Sequence, residues 1–216
     1  MLVAFVFKHD CWHQASCNCL SSSTQKYVSL TVKGEARNRI GRIREDLQGE
    51  LLPVLYQIRR KRSLDVPSLS DLGWIVSLGN GKRIKPLLNQ VAQEAQKDSS
   101  SFNQIEGKLR NALHVYLLDT HQGEKQIMKR INPQDIIPWA RRRQYPAENR
   151  ILKTNIKNLS DVEILLDAHD LSLNENLDKL EFVTGDKKDI LKNEKIILST
   201  LKISGIKYLA AFNSAS

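Results

Sequence analysis

At 216 residues the chain is long enough for one large domain, or one domain with a sizeable insertion, and for a substantial hydrophobic core. Its 41% hydrophobic and 26% charged residues are those of a soluble globular protein, and no apolar run approaches a membrane span. The formal charge of +9 suits a polyanionic partner such as nucleic acid.

The chain opens on LVAFVF (2–7), which reads as a buried strand because it has no polar alternation. It is too short, and lacks the basic flank, to be a signal peptide, so a cytoplasmic location with reduced cysteines is expected. His9, Cys11, His13, Cys17 and Cys19 then cluster within 9–19. Thiolates and imidazoles are zinc ligands, but there is no C-x2-C pair and no second pair downstream. A helix over 11–20 would send Cys17 and Cys19 to different faces. The favoured reading is small core residues with surface histidines.

YVSLTVKGE (27–35) is a brief apolar stretch that runs into a helix carrying Glu35. Ile40, Ile43, Leu47, Leu51 and Val54 continue that helix on one face. Pro53 is expected to kink or split it, and a basic RRKR closes it at 59–62. PSLSDLG (67–73) reads as a connection in which Ser70-Asp71 starts a turn or short helix. GNGK (79–82) is a break, and it lacks the spacing of a phosphate loop. Ile84, Leu87, Leu88, Val91, Ala92 and Ala95 form a second amphipathic helix. Ile105, Leu109, Ala112, Leu113, Tyr116 and Leu117 form a third. The polar THQGEK segment separates that helix from a short apolar piece at 127–131.

INPQDIIPWARRRQYPAENR (131–150) is punctuated by proline and strongly basic. Trp139 and Tyr145 flank Arg141, Arg142 and Arg143, a pattern that suits stacking on bases and pairing with phosphates. A solvated loop anchored by one aromatic fits the same residues equally well.

Residues 158–190 read as a capped helix, a loop, a strand and an acidic turn. Ser160 and Glu163 have capping-box spacing for a helix starting at Asp161, whose buried face is Val162, Leu165, Leu166 and His169. LEFVT is short, β-branched and aromatic, as a strand should be, and Gly185-Asp186 follows at its carboxyl end. That end of a strand is where open α/β sheets bind ligands. A helix through Leu201 and a short strand at IKYL (206–209) complete the chain, before a frayed AAFNSAS tail.

A helix opening on Asp161, a gap, and a strand running into V-T-G-D resemble the second half of a PIN domain. The resemblance implies an α/β fold, a parallel sheet flanked by helices, with its core from about 1–45 and 150–210. The helical middle, about 50–145, is then an enlarged insertion in a single domain over 1–216. It also implies that Asp161 is the acid at the start of that helix, Asp186 the acid of the turn and Asp189 an auxiliary acid. Glu35, in a V-x-x-E-like element, becomes the second acid of the metal site. One departure stands out: the D-x-N motif that should precede the first apolar run is absent. Either the true start lies upstream of Met1 or the first metal ligand has been lost, and Asp10 lies on the wrong side of the run to replace it.

The function implied is metal-dependent hydrolysis of RNA phosphodiester bonds. Glu35, Asp161, Asp186 and Asp189 would hold Mg²⁺ or Mn²⁺ through carboxylate oxygens and water. The basic residues, Trp139 to Tyr145 among them, would grip the RNA backbone. The alternative is a catalytically inactive PIN-like module that binds RNA or a partner protein. A plain α/β protein with a helical insertion is the third reading.

Overall fold

The computed structural model describes residues 1–7, 10–61, 67–79 and 84–213. His9, Arg62 and most of the expected 79–82 break lie outside the described residues. In chain order the elements are α1 (Leu2–Val6), α2 (His13–Ser21), β1 (Lys26–Ser29), α3 (Leu30–Arg60), α4 (Leu69–Ser77), α5 (Ile84–Lys97) and α6 (Phe102–Arg130). Then come β2 (Ile136–Trp139), α7 (Pro146–Asn155), α8 (Leu159–Asn174), β3 (Glu181–Thr184), α9 (Glu194–Thr200) and β4 (Gly205–Tyr208). The protein is a mostly helical α/β chain that divides into two compact units. One comprises Met1–Asn38 and Lys125–Ser216, the other Arg39–Glu124, and α3 and α6 run through both.

The first unit holds all the strands. β1 pairs in parallel with β2, Lys26 opposite Ile136 through Ser29 opposite Trp139. β3 pairs in parallel with β4, Glu181 opposite Gly205 through Thr184 opposite Tyr208. These are two separate two-stranded sheets, which corrects the expectation of one continuous PIN-like sheet. Residues 2–6 are also corrected, from strand to helix. An unbroken apolar run has no period to choose between the two, and here Phe5 N–H closes a helical turn onto Met1 O at 3.1 Å.

Around β3 and β4 the apolar residues sort by face. Phe182 and Ile206 pack against the cluster of Leu152, Val162, Leu165, Leu166, Ile197 and Leu201 from α7, α8 and α9. Val183 packs against Ala15 and Cys19 of α2 with Leu209. Successive strand residues point to opposite sides, so Phe182 and Val183 cannot share a core. The carboxyl end of β3 is thus fixed between α8 and α2. The last segment is not one long helix as expected. A turn and a 3₁₀ turn (Leu191–Asn193) intervene before α9.

The second unit is all helical among its described residues. α3 buries Ile40, Ile43, Leu47, Leu51, Val54 and Ile58, a stripe at the helical period that crosses Pro53 without interruption. Pro53 was expected to kink or split this helix, and it does not split it. Burial on both sides of an exposed proline holds it together. α6 likewise continues through THQGEK, because Tyr116, Thr120 and Ile127 stay in register on its buried side. Arg44 fixes that stretch, giving hydrogen bonds to Thr120 O at 3.0 Å and pairing with Glu124 at 2.6 Å. Arg59 pairs with Glu106 at 2.7 Å, so α3 and α6 run antiparallel here. α5 buries all six residues expected of it. Ser68 and Asp71 form a capping box at the start of α4.

Candidate functional site

Two ladders of polar contacts fix α3 against α8. At the start of α3, Ser29 Oγ and Thr31 Oγ1 both donate to Asp167 Oδ2, the second at 3.1 Å. One turn further along α3, Glu35 Oε1 accepts from Ser160 Oγ. Four residues forward on α3 thus correspond to seven back on α8, so the two helices run antiparallel and Glu35 is carried to the amino end of α8. Ser160 does not cap that helix as expected. Asn158 does, its side chain accepting Ser160 N–H at 3.1 Å, and this leaves the serine hydroxyl for Glu35.

The turn after β3 approaches the same place. Asp186 Oδ1 accepts Lys188 N–H at 2.7 Å and Asp189 N–H at 2.9 Å, while Asp186 N–H donates to Thr184 Oγ1 at 3.0 Å. These bonds lock the turn, and Asn193 holds Asp189 O at 2.7 Å. The consequence shows at Asp161. Burial raises its pKa above the ordinary carboxylate value, and the charge of Asp186 adds to the rise. Asn158 opposes it, and Asp189 and Glu35 push it further up. Asp161 Oδ2 is buried without a hydrogen-bond partner among the described residues. Three of the acids singled out in the sequence, Glu35, Asp186 and Asp189, therefore act on the fourth, Asp161. Among the described residues, however, no three His, Cys, Asp or Glu side chains stand together as a ready metal cage. A bond from Ser160 and the turn backbone engage Glu35 and Asp186 instead.

The residues fit a hydrated hard cation better than a fully coordinated one. Mg²⁺ keeps several waters and needs only one or two carboxylates. Asp161 supplies an oxygen with no donor among the described residues and a neighbourhood of like charge, both of which a divalent cation would relieve.

Of the two forms open to the basic segment before α7, a binding surface or a loop anchored by an aromatic, the structure has the aromatic anchor. Trp139, the last residue of β2, is buried, and its indole N–H donates to Asp170 at 3.1 Å. The same carboxylate accepts Arg142 N–H at 2.9 Å, Arg143 N–H at 3.2 Å and Tyr145 OH at 2.7 Å. Burial alone would raise the Asp170 pKa, but these four donors outweigh it and hold it below the ordinary value. Tyr145 is driven the other way, to about 12, by burial and by its bond to the Asp170 carboxylate. Arg141 turns inward, paired with Glu163 and 3.5 Å from Asp167, which lie four residues apart on α8. Arg142 stacks its guanidinium over the Trp139 ring at 4.4 Å and reaches Glu175 at 3.4 Å. Arg142 and Arg143 are exposed, so they are the surface this segment offers to a polyanion.

Asp167 and Asp170 were assigned no role by the sequence pattern. Their signal was present all the same, since both are carboxylates on the buried face of an amphipathic helix, where an acid must find partners. His169 is a core histidine, its Nδ1 accepting Lys202 N–H at 2.8 Å and its ring edge-on to Tyr145. In α2, His13 Nδ1 bonds Ala4 O at 3.1 Å and its Nε2 lies 3.5 Å from Cys17 Sγ, while Cys19 is buried.

No family model, curated protein or solved structure matches this chain. No helix among the described residues is long and apolar enough to cross a membrane.

Proposed function

We propose that the chain is a divalent-metal-dependent phosphodiesterase acting on RNA, with its site at the amino end of α8. The observation that carries this reading is Asp161: a carboxylate raised by burial and by Asp186, Asp189 and Glu35, with one oxygen lacking any hydrogen-bond partner among the described residues. Such a site is costly empty and is stabilised by positive charge. Asp161 and Asp186 would hold Mg²⁺ or Mn²⁺, with Glu35 and Asp189 accepting hydrogen bonds from its waters. A bound ion of this kind lowers the pKa of a water and neutralises charge developing on phosphate. Ser160 orients Glu35, and the backbone bonds of the 184–189 turn orient Asp186. Exposed Lys187 and Lys188 on the same turn, with Arg142 and Arg143, supply positive charge for the RNA backbone.

A second reading, an inactive RNA-binding module, is favoured by one observation. Glu35 and Asp186 are already engaged by protein donors, and among the described residues no ready cage of three ligands exists. The experiment that separates the two is cleavage of labelled single-stranded RNA with Mn²⁺, Mg²⁺ or EDTA. Wild type should cleave only with metal, and Asp186→Asn should cut the rate by at least about 100-fold, a loss typical of misplacing a catalytic centre. RNA binding with no cleavage under any metal would sink the enzyme reading and leave the module.

A further inference from the structure

In the unit Arg39–Glu124, α3 and α6 leave an open apolar groove of about 420 Å³ between them. Gln48, Leu51, Leu52 and Leu55 line it from α3, and Arg110, Leu113, His114 and Leu117 from α6. Each set has the spacing i, i+3, i+4, i+7, so each helix presents one continuous stripe. Beside the groove α3 carries an apolar ridge: Leu52 is 67% exposed and Tyr56 61%. Two large apolar residues at that exposure, next to a groove lined by leucines, mark a surface built for a helix.

We propose that the groove receives α3 of a second copy of this chain, making an antiparallel two-fold dimer. A two-fold interface needs one patch that is complementary to itself, with ridge and groove side by side. This face has both, since the Leu52–Tyr56 ridge of each copy enters the groove of the other. The groove's α3 lining runs from 48 to 55, so a two-fold axis through its middle passes beside Leu52. Antiparallel pairing about Leu52 places Gln48 opposite Tyr56 of the mate and Glu45 opposite Arg59 of the mate. Residues 45, 48, 52, 55 and 59 follow the alternating three- and four-residue steps of a coiled-coil seam. Opposite charges thus meet at both ends of a seam centred on Leu52. Glu45 is exposed, and Arg59 keeps 52% of its side chain exposed although it pairs with Glu106. Gly49 stands about one turn before Leu52, where a large side chain would occupy the space the mate's helix needs. A Cβ built there meets nothing within 4 Å in the chain, as at Gly34 and Gly41 of the same helix, so a larger residue fits the monomer. A mid-helix glycine costs about 1 kcal/mol against alanine.

The test is the mass of the full chain by light scattering and sedimentation equilibrium, at concentrations from about 1 to 100 µM, the range of a micromolar dissociation constant. Wild type should approach twice 24.6 kDa. Leu52→Glu should be monomeric with an unchanged far-ultraviolet spectrum, because the residue is exposed in the monomer. Gly49→Leu should also block the dimer without unfolding the chain. Glu45→Arg should weaken association by at least about tenfold, and adding Arg59→Glu should restore it, since the swapped pair meets again across the axis. A wild type that stays monomeric to the highest concentration gives the groove to a different protein and overturns the proposal. A dimer that survives Leu52→Glu overturns it as well. Failure of the double exchange to recover association, with both variants folded, overturns the antiparallel register.

Discussion

Ser160, in the first turn of α8, gives its hydroxyl hydrogen bond to Glu35 of α3, 125 positions earlier in the chain. That contact lies at one end of an antiparallel docking whose other end is Asp167 with Ser29 and Thr31. It determines which acids can meet. Glu35 comes to Asp161 only because α3 leaves β1 at Ser29 and lies along α8 in this register. Asp186 arrives independently, from the carboxyl end of β3.

Asp161 should behave as a destabilising carboxylate when the site holds no metal. Its folded pKa lies above its unfolded one, so the folded state binds the proton more tightly. The penalty is absent below the unfolded value, grows as pH rises from there through the folded value, and is complete above it. Asp161→Asn should therefore raise the melting temperature at pH 7 and lose that advantage near pH 3. Thermal melts across this range check it, and an unchanged midpoint at pH 7 would remove the strain on which the site reading rests.

Metal should reverse that ordering. Millimolar Mn²⁺ or Mg²⁺ should stabilise wild type by about 1–3 kcal/mol, the mass-action gain for ligand at roughly 10 to 100 times its dissociation constant. Asp161→Asn and Asp186→Asn should gain little. Calorimetry with and without EDTA reads this, independently of any RNA cleavage. Equal stabilisation of all three proteins would assign the metal effect to some other place.

Much of the fold was legible because packing follows period. The α5 stripe, the buried face of α8 and the strand at 181–184 are all readable from spacing alone. The failures have physical causes. LVAFVF has no period, so nothing in it distinguishes strand from helix. Ser160 looked like a cap because it stands three residues before Glu163, but Asn158 is an equally good cap and starts the helix earlier. The arginine triplet, with its aromatic neighbours, suited a binding surface and an anchored loop equally. What decides its conformation is Asp170, some thirty residues downstream, and no local pattern carries that pairing.

The three arginines should separate when replaced singly. Arg143→Ala and Arg142→Ala should each weaken RNA binding and lower the salt slope by about one, as loss of a phosphate contact does. Arg141→Ala should act on stability instead, by about 2–4 kcal/mol, because it leaves buried Asp167 short of a cation and Glu163 unpaired. Affinity titrations at several salt concentrations, set beside urea melts, distinguish the two kinds of loss. Uniform effects across the triplet would contradict the inward placement of Arg141.

Asp170 offers the sharpest test of how that segment is held. Its carboxylate is wholly buried and accepts four donors, two of them consecutive backbone N–H groups. Asn in its place keeps the size but presents an N–H₂ group to donors that need an acceptor. At least one of Trp139 Nε1, Tyr145 OH and the two backbone N–H groups is then unsatisfied inside the protein. Hydrogen bonds to charged groups contribute about 1.5–3 kcal/mol each, so Asp170→Asn should cost about 3 kcal/mol or more. The pH dependence has the opposite sign to that of Asp161. A pKa held below the unfolded value contributes stability that is present above the ordinary carboxylate range and is lost as pH falls through the folded value. The difference in unfolding free energy between wild type and Asp170→Asn should therefore be full at pH 7 and shrink only below about pH 4, the ordinary aspartate value. Tryptophan fluorescence adds a local readout, because Trp139 loses its partner. A variant with wild-type stability and an unshifted tryptophan spectrum would mean that the 139–145 segment is held by something other than Asp170.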